Sequence, residues 1–211
     1  MQLIGQYDSP FVRRVGIAMA RYGMTFRQEP WSVWADADAL AKWNPLRRVP
    51  VLVLDDGTAL VESAAILDWL DDQVGPERAL LPRSGVARRD GLRAAALATG
   101  LADKSVILLY EHVLRKQPDR SAVWVARSEA QIREPAALLE RERAARATPW
   151  WLGDALSHAD VAVACALRFL AEAHPKLAAE AVGPALSAEA ARCEALSEFR
   201  EICQPLTITL E

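Results

Sequence analysis

Cysteine is scarce in these 211 residues, and no Cys-x-x-Cys pair occurs anywhere. Cys165, Cys193 and Cys203 are an odd number, and all fall in the back half. Their apolar, helix-like flanks, such as VAVACALRF around Cys165, mark them as buried, inert free thiols of a reducing compartment. Histidine is equally sparse. His112, His158 and His174 have no metal-ligand spacing, so no metal is expected. The net charge is only −3, with acidic and basic residues interspersed, which argues against a nucleic-acid partner or an anionic membrane surface. No uncharged apolar stretch reaches ~18 residues, so no membrane span is expected. The first residues carry neither a basic n-region nor a small-residue cleavage site, and a cytoplasmic protein is the expectation.

What is present suits a globular chain. Hydrophobic residues make up 52% and charged residues 25%, enough apolar material for a core, at a length that fits one large domain or two small ones. The front third alternates element types. Leu3-Ile4-Gly5 begins a short strand. From Phe11, the positions Val15, Ala18, Met19 and Tyr22 keep helical spacing until Gly23 supplies a stop. TFRQEP alternates like a second strand, and ADADALAKWNP reads as a short helix that must end before Pro45. VPVLVLDDGTALVE carries two apolar runs around Asp55-Asp56-Gly57-Thr58, a hairpin signature. SAAILDWLDDQVG places Ile66, Leu67, Leu70 and Val74 on one helix face, with Gly75 as its cap. The order βαβαββα implies a mixed α/β sheet with helices on its faces.

GPERALLPRSG then interrupts the pattern with prolines and glycines. It reads as a linker over 79–85, separating a first domain, 1–78, from a second, 86–211. Beyond it the chain is alanine- and leucine-rich with helical periodicity and no convincing strand, so the second domain is expected to be an all-helical bundle. Pro135 should start or kink a helix rather than sit inside a straight one. The closing PLTITLE reads equally as a tail or a short extended segment.

Three places in the first domain bring polar groups to element ends. In QLIGQYDSPFVRRVGIAMARYG, Ser9-Pro10 is a serine N-cap with proline at the first helical position, which a helix start prefers on structural grounds alone. The same geometry leaves free backbone N–H groups and a positive dipole end beside the Ser9 hydroxyl, a favourable place for an anion. A thiol set there would have its thiolate favoured. In RRVPVLVL, Pro50 enters a strand at its first position or at an edge, with Arg48 a cation just before it. Glu62-Ser63 opens the last helix of the domain. Ser63 reads as another N-cap, yet its hydroxyl and the nearby N–H groups suit a carboxylate while Glu62 suits an ammonium. Together the two form a receptor for the α-amino-acid end of a small molecule. None of the three is specific alone; their combination and order carry far more.

In that order, SPFVRRV, NPLRRVPVL and ESAAILDWL resemble the thioredoxin-like domain of the cytosolic glutathione S-transferases. In the second domain, WWLGDALSHADVAVAC is similar to the family's Leu-Gly-Asp stretch running into a Ser/Thr-x-x-Asp cap. Ser157 and Asp160 would there form a capping-box-like pair, with Leu156 and Val161 as the hydrophobic staple. The likeness spans both domains and covers most of the chain. A serine followed by Pro-Phe-Val-Arg resembles a serine-type bacterial branch, close to the YibF-like proteins.

The resemblance implies a thioredoxin-like N-terminal domain followed by a helical C-terminal domain, glutathione as co-substrate, a homodimer, and no metal or bound redox cofactor. It implies that Ser9 hydrogen-bonds the glutathione sulfur. Val49, before a proline (Pro50) that is cis in the family, would pair its backbone with the cysteinyl part. Glu62 and Ser63 would hold the γ-glutamyl end. Arg48 stands where lysine is usual and would meet the glycine carboxylate, keeping the charge and changing the reach. Phe11 either lines the second-substrate site or packs in the core. Asp103 either reaches across a dimer to the glutathione amine or is a solvated helix charge. The chain departs from the family at Arg47, where glycine is usual, which puts the loop backbone in question. No cysteine stands at Ser9 or at Val12, which disfavours subgroups working by mixed disulfide, and the Ser-Ser-Cys signature of maleylacetoacetate isomerases is absent. The implied activity is conjugation of the glutathione thiolate to a small, largely apolar electrophile, a detoxification reaction. The alternatives are a glutathione-binding module without catalysis and a glutathione-dependent peroxidase. Trp31, Trp34 and Trp43, with Trp150-Trp151, form either an aromatic wall for substrate or packing.

Overall fold

In the computed structural model, which describes residues 1–208, the front third folds as β1 (Gln2–Ile4), α1 (Pro10–Arg21), β2 (Arg27–Glu29), α2 (Ala37–Ala41), β3 (Val51–Val53), β4 (Ala59–Val61) and α3 (Ser63–Val74). This is the βαβαββα order expected from the sequence. The sheet runs β2-β1-β3-β4, with β1 parallel to β2 and antiparallel to β3, and β3 antiparallel to β4. A parallel pair needs a crossover, which α1 supplies. The antiparallel pair β3–β4 needs only a tight turn, and Leu54 closes it by donating its N–H to Thr58 O at 2.9 Å. Alternation along the strands divides the core between two faces. Leu3 and Leu52 face Val12, Val15, Ala18 and Met19 of α1 and Ile66, Leu67 and Leu70 of α3. Ile4, Val51 and Val53 face the other way, onto Leu40 of α2 with Trp31 and Trp43 beside them. Packing therefore accounts for two of the tryptophans, while Trp34 is 39% exposed.

The structure divides into two compact units, Met1–Arg83 together with the described residues from Leu196 onward, and Ser84–Ala195. The segment read as a linker over 79–85 is packed at its start and exposed from Pro82 to Gly85. Leu80 and Leu81 are buried, and Leu80 joins the front core while its N–H donates to the Tyr22 hydroxyl at 2.9 Å.

The second unit holds α4 (Gly85–Leu114), α5 (Ala122–Ala144), α6 (His158–Ala173), α7 (Pro175–Ala181) and α8 (Pro184–Glu194). It is helical, as expected, around an α6 that is buried on nearly every side and packed by α4, α7 and α8. Asp160 at the start of α6 is fully buried and accepts from Ser157 N and Trp151 N, each at 2.7 Å. The Ser157–Asp160 capping box is thus present, and Leu156 and Val161 beside it are both buried.

Of the two places expected for Pro135, a helix start or a kink, the start does not occur: Pro135 lies inside α5, which is packed by α4, α7 and α8. Two sequence expectations need correction. Cys165 and Cys193 are buried, but Cys203 is exposed, since the helix α9 (Ser197–Glu201) ends two residues before it. The residues from Leu196, expected with the helical domain, pack with the front unit instead. Phe199 and Ile202 bury their side chains there, and α9 lies against α1. Pro205–Ile208 form neither helix nor strand; the remainder of PLTITLE lies outside the described residues.

Candidate functional site

The register places three element ends at one edge of the sheet. Ile4 is opposite Val51, and Val51 is opposite Val61. The end of β1, the start of β3 and the end of β4 therefore lie side by side. Their next residues are Gly5, Pro50 and Glu62.

Gly5 makes the close approach possible. Its φ is +131°, and a Cβ there would lie 2.5 Å from Val12 Cγ2 and 2.9 Å from Val49 Cβ. Only a residue without a side chain lets the start of α1 meet the loop before β3. Ser9 caps α1 from an extended backbone (φ −67°, ψ 122°), with Pro10 at the first helical position. Its Oγ accepts from Val12 N at 3.4 Å, a long bond, and among the described residues no acceptor takes its proton. The hydroxyl is half-buried and can donate.

The loop before β3 ends in a cis Val49–Pro50 bond. Asn44, 2% exposed, shapes it by donating Nδ2 to Arg48 O at 2.8 Å and accepting from Leu46 N at 3.0 Å. Arg47 has φ 52°, the left-handed backbone that glycine adopts without cost, and its guanidinium meets Asp38 at 3.1 Å. The loop thus takes a glycine-like path at this position despite the side chain.

At the third end, Glu62 takes φ 67° and occupies the N-cap position of α3. Ser63, expected as the cap, is instead the first helical residue; it is buried, and its hydroxyl has no hydrogen-bond partner among the described residues. The shift follows from the turn at Glu62, whose backbone carbonyl receives Ile66 N at 3.0 Å while its side chain stays out of the cap. That side chain lies 3.9 Å from Arg48, both half-exposed.

Ser9, Val49, Pro50, Arg48, Glu62 and Ser63 thus lie on three neighbouring element ends, two of them the positive dipole ends of α1 and α3. Phe11 is half-buried on the first turn of α1. Asp103 belongs to α4 in the other unit, where Lys104 pairs with it at 3.3 Å. Tyr7 precedes Ser9 in the chain, but its ring lies beside Gly16, and burial and the Glu201 charge push its phenol up to about 12, so it remains neutral.

Sequence reasoning passed over Gly5, Asn44 and the C-terminal segment. A glycine directly after a strand and the Asn-Pro dipeptide were usable signals for the first two; nothing local marked the third. Among the described residues no group of three or more His, Cys, Asp or Glu could hold a metal, and no helix is long and apolar enough to cross a membrane.

Comparison with known proteins bears on this geometry directly. Residues 8–73 match the model of the glutathione S-transferase N-terminal domain, and residues 122–188 match that of the C-terminal domain. The chain is 30% identical over 180 residues to the uncharacterized GST-like protein YibF of Escherichia coli K12, covering 81% of this chain and 82% of that protein. It is similar to a solved glutathione S-transferase from Methylobacterium radiotolerans in complex with glutathione sulfonate, with TM-score 0.89 and 31% identity over 99% of this chain and 97% of that one. A glutathione transferase family member from Pseudomonas fluorescens Pf-5 with bound glutathione is similar at TM-score 0.85 and 32% identity, over 97% of this chain and 99% of that one. With both domains matched in order, and sequence identity carried along four-fifths of a relative's length, the chain belongs to the glutathione S-transferase family.

Proposed function

We propose that this protein is a glutathione transferase that joins the glutathione thiolate to a small, largely apolar electrophile. The observation that carries the reading is the meeting of three polar element ends at one sheet edge, with the Ser9 hydroxyl proton free to donate. Support comes from the two similar structures, solved with glutathione sulfonate and with glutathione.

In this reading the tripeptide lies across the three ends. Glu62 takes the γ-glutamyl ammonium, and Ser63 with the N–H groups of α3 takes its carboxylate. The Val49 backbone, set by the bond to Pro50, pairs with the cysteinyl amide. Arg48 takes the glycine carboxylate. Ser9 donates to the sulfur. A free thiol near ~8.5 is mostly protonated at neutral pH, and only the thiolate is an effective nucleophile. One hydrogen bond to the charged sulfur and the dipole of α1 together stabilise the thiolate by roughly 1–3 kcal/mol, about one to two pH units. The thiol proton leaves to solvent, and the sulfur lone pair forms the bond to the electrophilic carbon as the leaving group departs or the acceptor double bond opens. This chemistry needs no metal and no bound redox group. Phe11 borders the second substrate. The protein acts in a reducing cytoplasm as a homodimer, in which Asp103 would add a contact to the glutathione amine.

The test is an ultraviolet titration of bound glutathione. Ser9→Ala should raise the apparent thiol pKa by about one unit; an unchanged titration defeats the role of Ser9. The binding-only alternative rested on Arg47 altering the loop, and that support weakens with position 47 in a glycine-like conformation. Calorimetry separates the two, because a binding module takes up glutathione while turning over no electrophile.

A further inference from the structure

Residues 198–207 run back along α1 toward the serine. Glu198 of α9 pairs with Arg21 at 2.9 Å, at the C-terminal end of α1. Arg13, in the first turn of α1 and 2% exposed, donates Nε to Ile202 O and Nη2 to Phe199 O, each at 2.9 Å, with its guanidinium over the Phe199 ring. Gly16 lets Ile202 approach so closely that a Cβ there would lie 2.8 Å from Ile202 Cγ2. Past this anchor the chain reaches the turn before α1. Gln204 Oε1 accepts from Tyr7 N at 3.2 Å, and Thr207 N donates to Asp8 Oδ2 at 3.1 Å. Five hydrogen bonds thus follow one helix from its last turn to the two residues preceding Ser9.

That destination matters because the helix holds the two sides of Ser9 unequally. Its carbonyl accepts from Arg13 N at 2.9 Å, but the capping bond to its hydroxyl is 3.4 Å long, and on the other side the turn Gln6–Ser9 is closed by a backbone bond of 3.2 Å. Where the hydroxyl sits therefore also depends on where the backbone of Tyr7 and Asp8 is fixed. An isolated tail would gain little from a side-chain amide placed on a turn N–H. Here the buried Arg13 has already fixed the segment at Phe199 and Ile202, just before Gln204, so the bond costs little further ordering.

We infer that Gln204 is a positioning residue of the thiol site, its amide oxygen holding the Tyr7 backbone and thereby setting the Ser9 hydroxyl. The inference rests on the proposed role of Ser9. It gives the far end of the chain a part in sulfur activation, with Arg13 as the anchor and Thr207 as a second hold on the same turn.

The experiment uses the full chain carrying Gln204→Ala, Gln204→Glu or Ser9→Ala, with glutathione and a chromogenic nitroaryl halide. Misplacing a reacting group by a fraction of an ångström lowers kcat, so Gln204→Ala should reduce it about three- to tenfold and raise the apparent pKa of the bound thiol. KM for glutathione should stay within about twofold, because Arg48, Glu62 and Ser63 still hold the two ends. Gln204→Glu keeps an acceptor oxygen and should restore the thiol pKa. A merely structural role would lower the thermal midpoint and leave the thiol pKa in place. If Ser9→Ala moves the thiol pKa and Gln204→Ala does not, this inference falls while the transferase reading stands. If neither moves it, both the role of Ser9 and this inference fall. Should Gln204→Ala not fold, Thr207→Pro removes the N–H that holds Asp8 and must shift the thiol pKa in the same direction.

Discussion

Two residues of the candidate site adopt a backbone that side chains resist. Arg47 has φ 52° and Glu62 has φ 67°, where a non-glycine residue costs about 1–2 kcal/mol. The two differ in what holds them there. Among the described residues the Arg47 side chain gains an ion pair with Asp38, and the side chains of that pair are 54% and 94% exposed, a kind of contact worth about 0–1 kcal/mol. Arg47→Gly should therefore stabilise the protein by roughly 0.5–1 kcal/mol, read as a higher denaturant midpoint at unchanged slope. A lower midpoint would show that the arginine side chain outweighs the strain of its backbone. At Glu62 the strain coincides with the carboxylate assigned to the glutathione ammonium, which is where strain is expected to persist when binding depends on it.

Among the elements, α5 carries the clearest internal conflict. Pro135 lies inside it, lacks the N–H that would bond Gln131 O, and crowds that carbonyl. Pro135→Ala should stabilise the helical unit by about 1–3 kcal/mol, the range in which proline penalises a helix interior. A loss of stability on urea denaturation would instead assign the half-buried ring a packing role larger than its backbone cost. Pro135 also shows why some of the fold escaped the sequence. Periodicity finds elements because burial of a face repeats every two or 3.6 residues, and every strand and helix of the front third followed that signal. Proline marks a local cost, and tertiary packing against α4, α7 and α8 overrode it. The C-terminal segment was harder still. Arg13 binds carbonyls 186 and 189 residues away, and no neighbouring residue announces such a partner. The candidate site was legible where it coincided with helix starts, at Ser9 and Glu62-Ser63, and at the Val-Pro entry to β3. Its supports were not, because Gly5 is required by two side chains distant in sequence, and Asn44 acts by shaping a loop rather than by touching the sheet edge.

The response of the fold to pH combines two buried groups of opposite sign. Glu189 in α8 is fully buried, its Oε2 taken by Arg143 at 2.5 Å and Arg192 at 3.0 Å, while its Oε1 has no hydrogen-bond partner and Asp160 lies beside it. Burial, together with the neighbouring Asp160 carboxylate, pushes it up from 4.5 to about 7. A raised carboxyl binds its proton more tightly in the folded state. Its contribution is thus fully present below pH 4.5 and is lost as pH rises toward 7. His174 behaves in the opposite way. Burial lowers it from 6.5, against the pull of its bond to Ser105 O, so its contribution is present above that value and is lost as pH falls. A pH profile of the native protein alone would blur the two. Comparing it with Glu189→Gln removes His174 from the difference, because both proteins keep that histidine. The neutral amide stands in for the protonated acid, so native stability should fall relative to the variant as pH rises from 5 to 8, with most of the change complete near 7. Parallel profiles would mean that Glu189 stays ionised throughout, held by its two arginines. The same change acts on Asp160, which fixes Trp151 and Ser157. Amide exchange over 148–157, corrected for its intrinsic pH dependence, should therefore quicken above pH 7 in the native protein and not in Glu189→Gln.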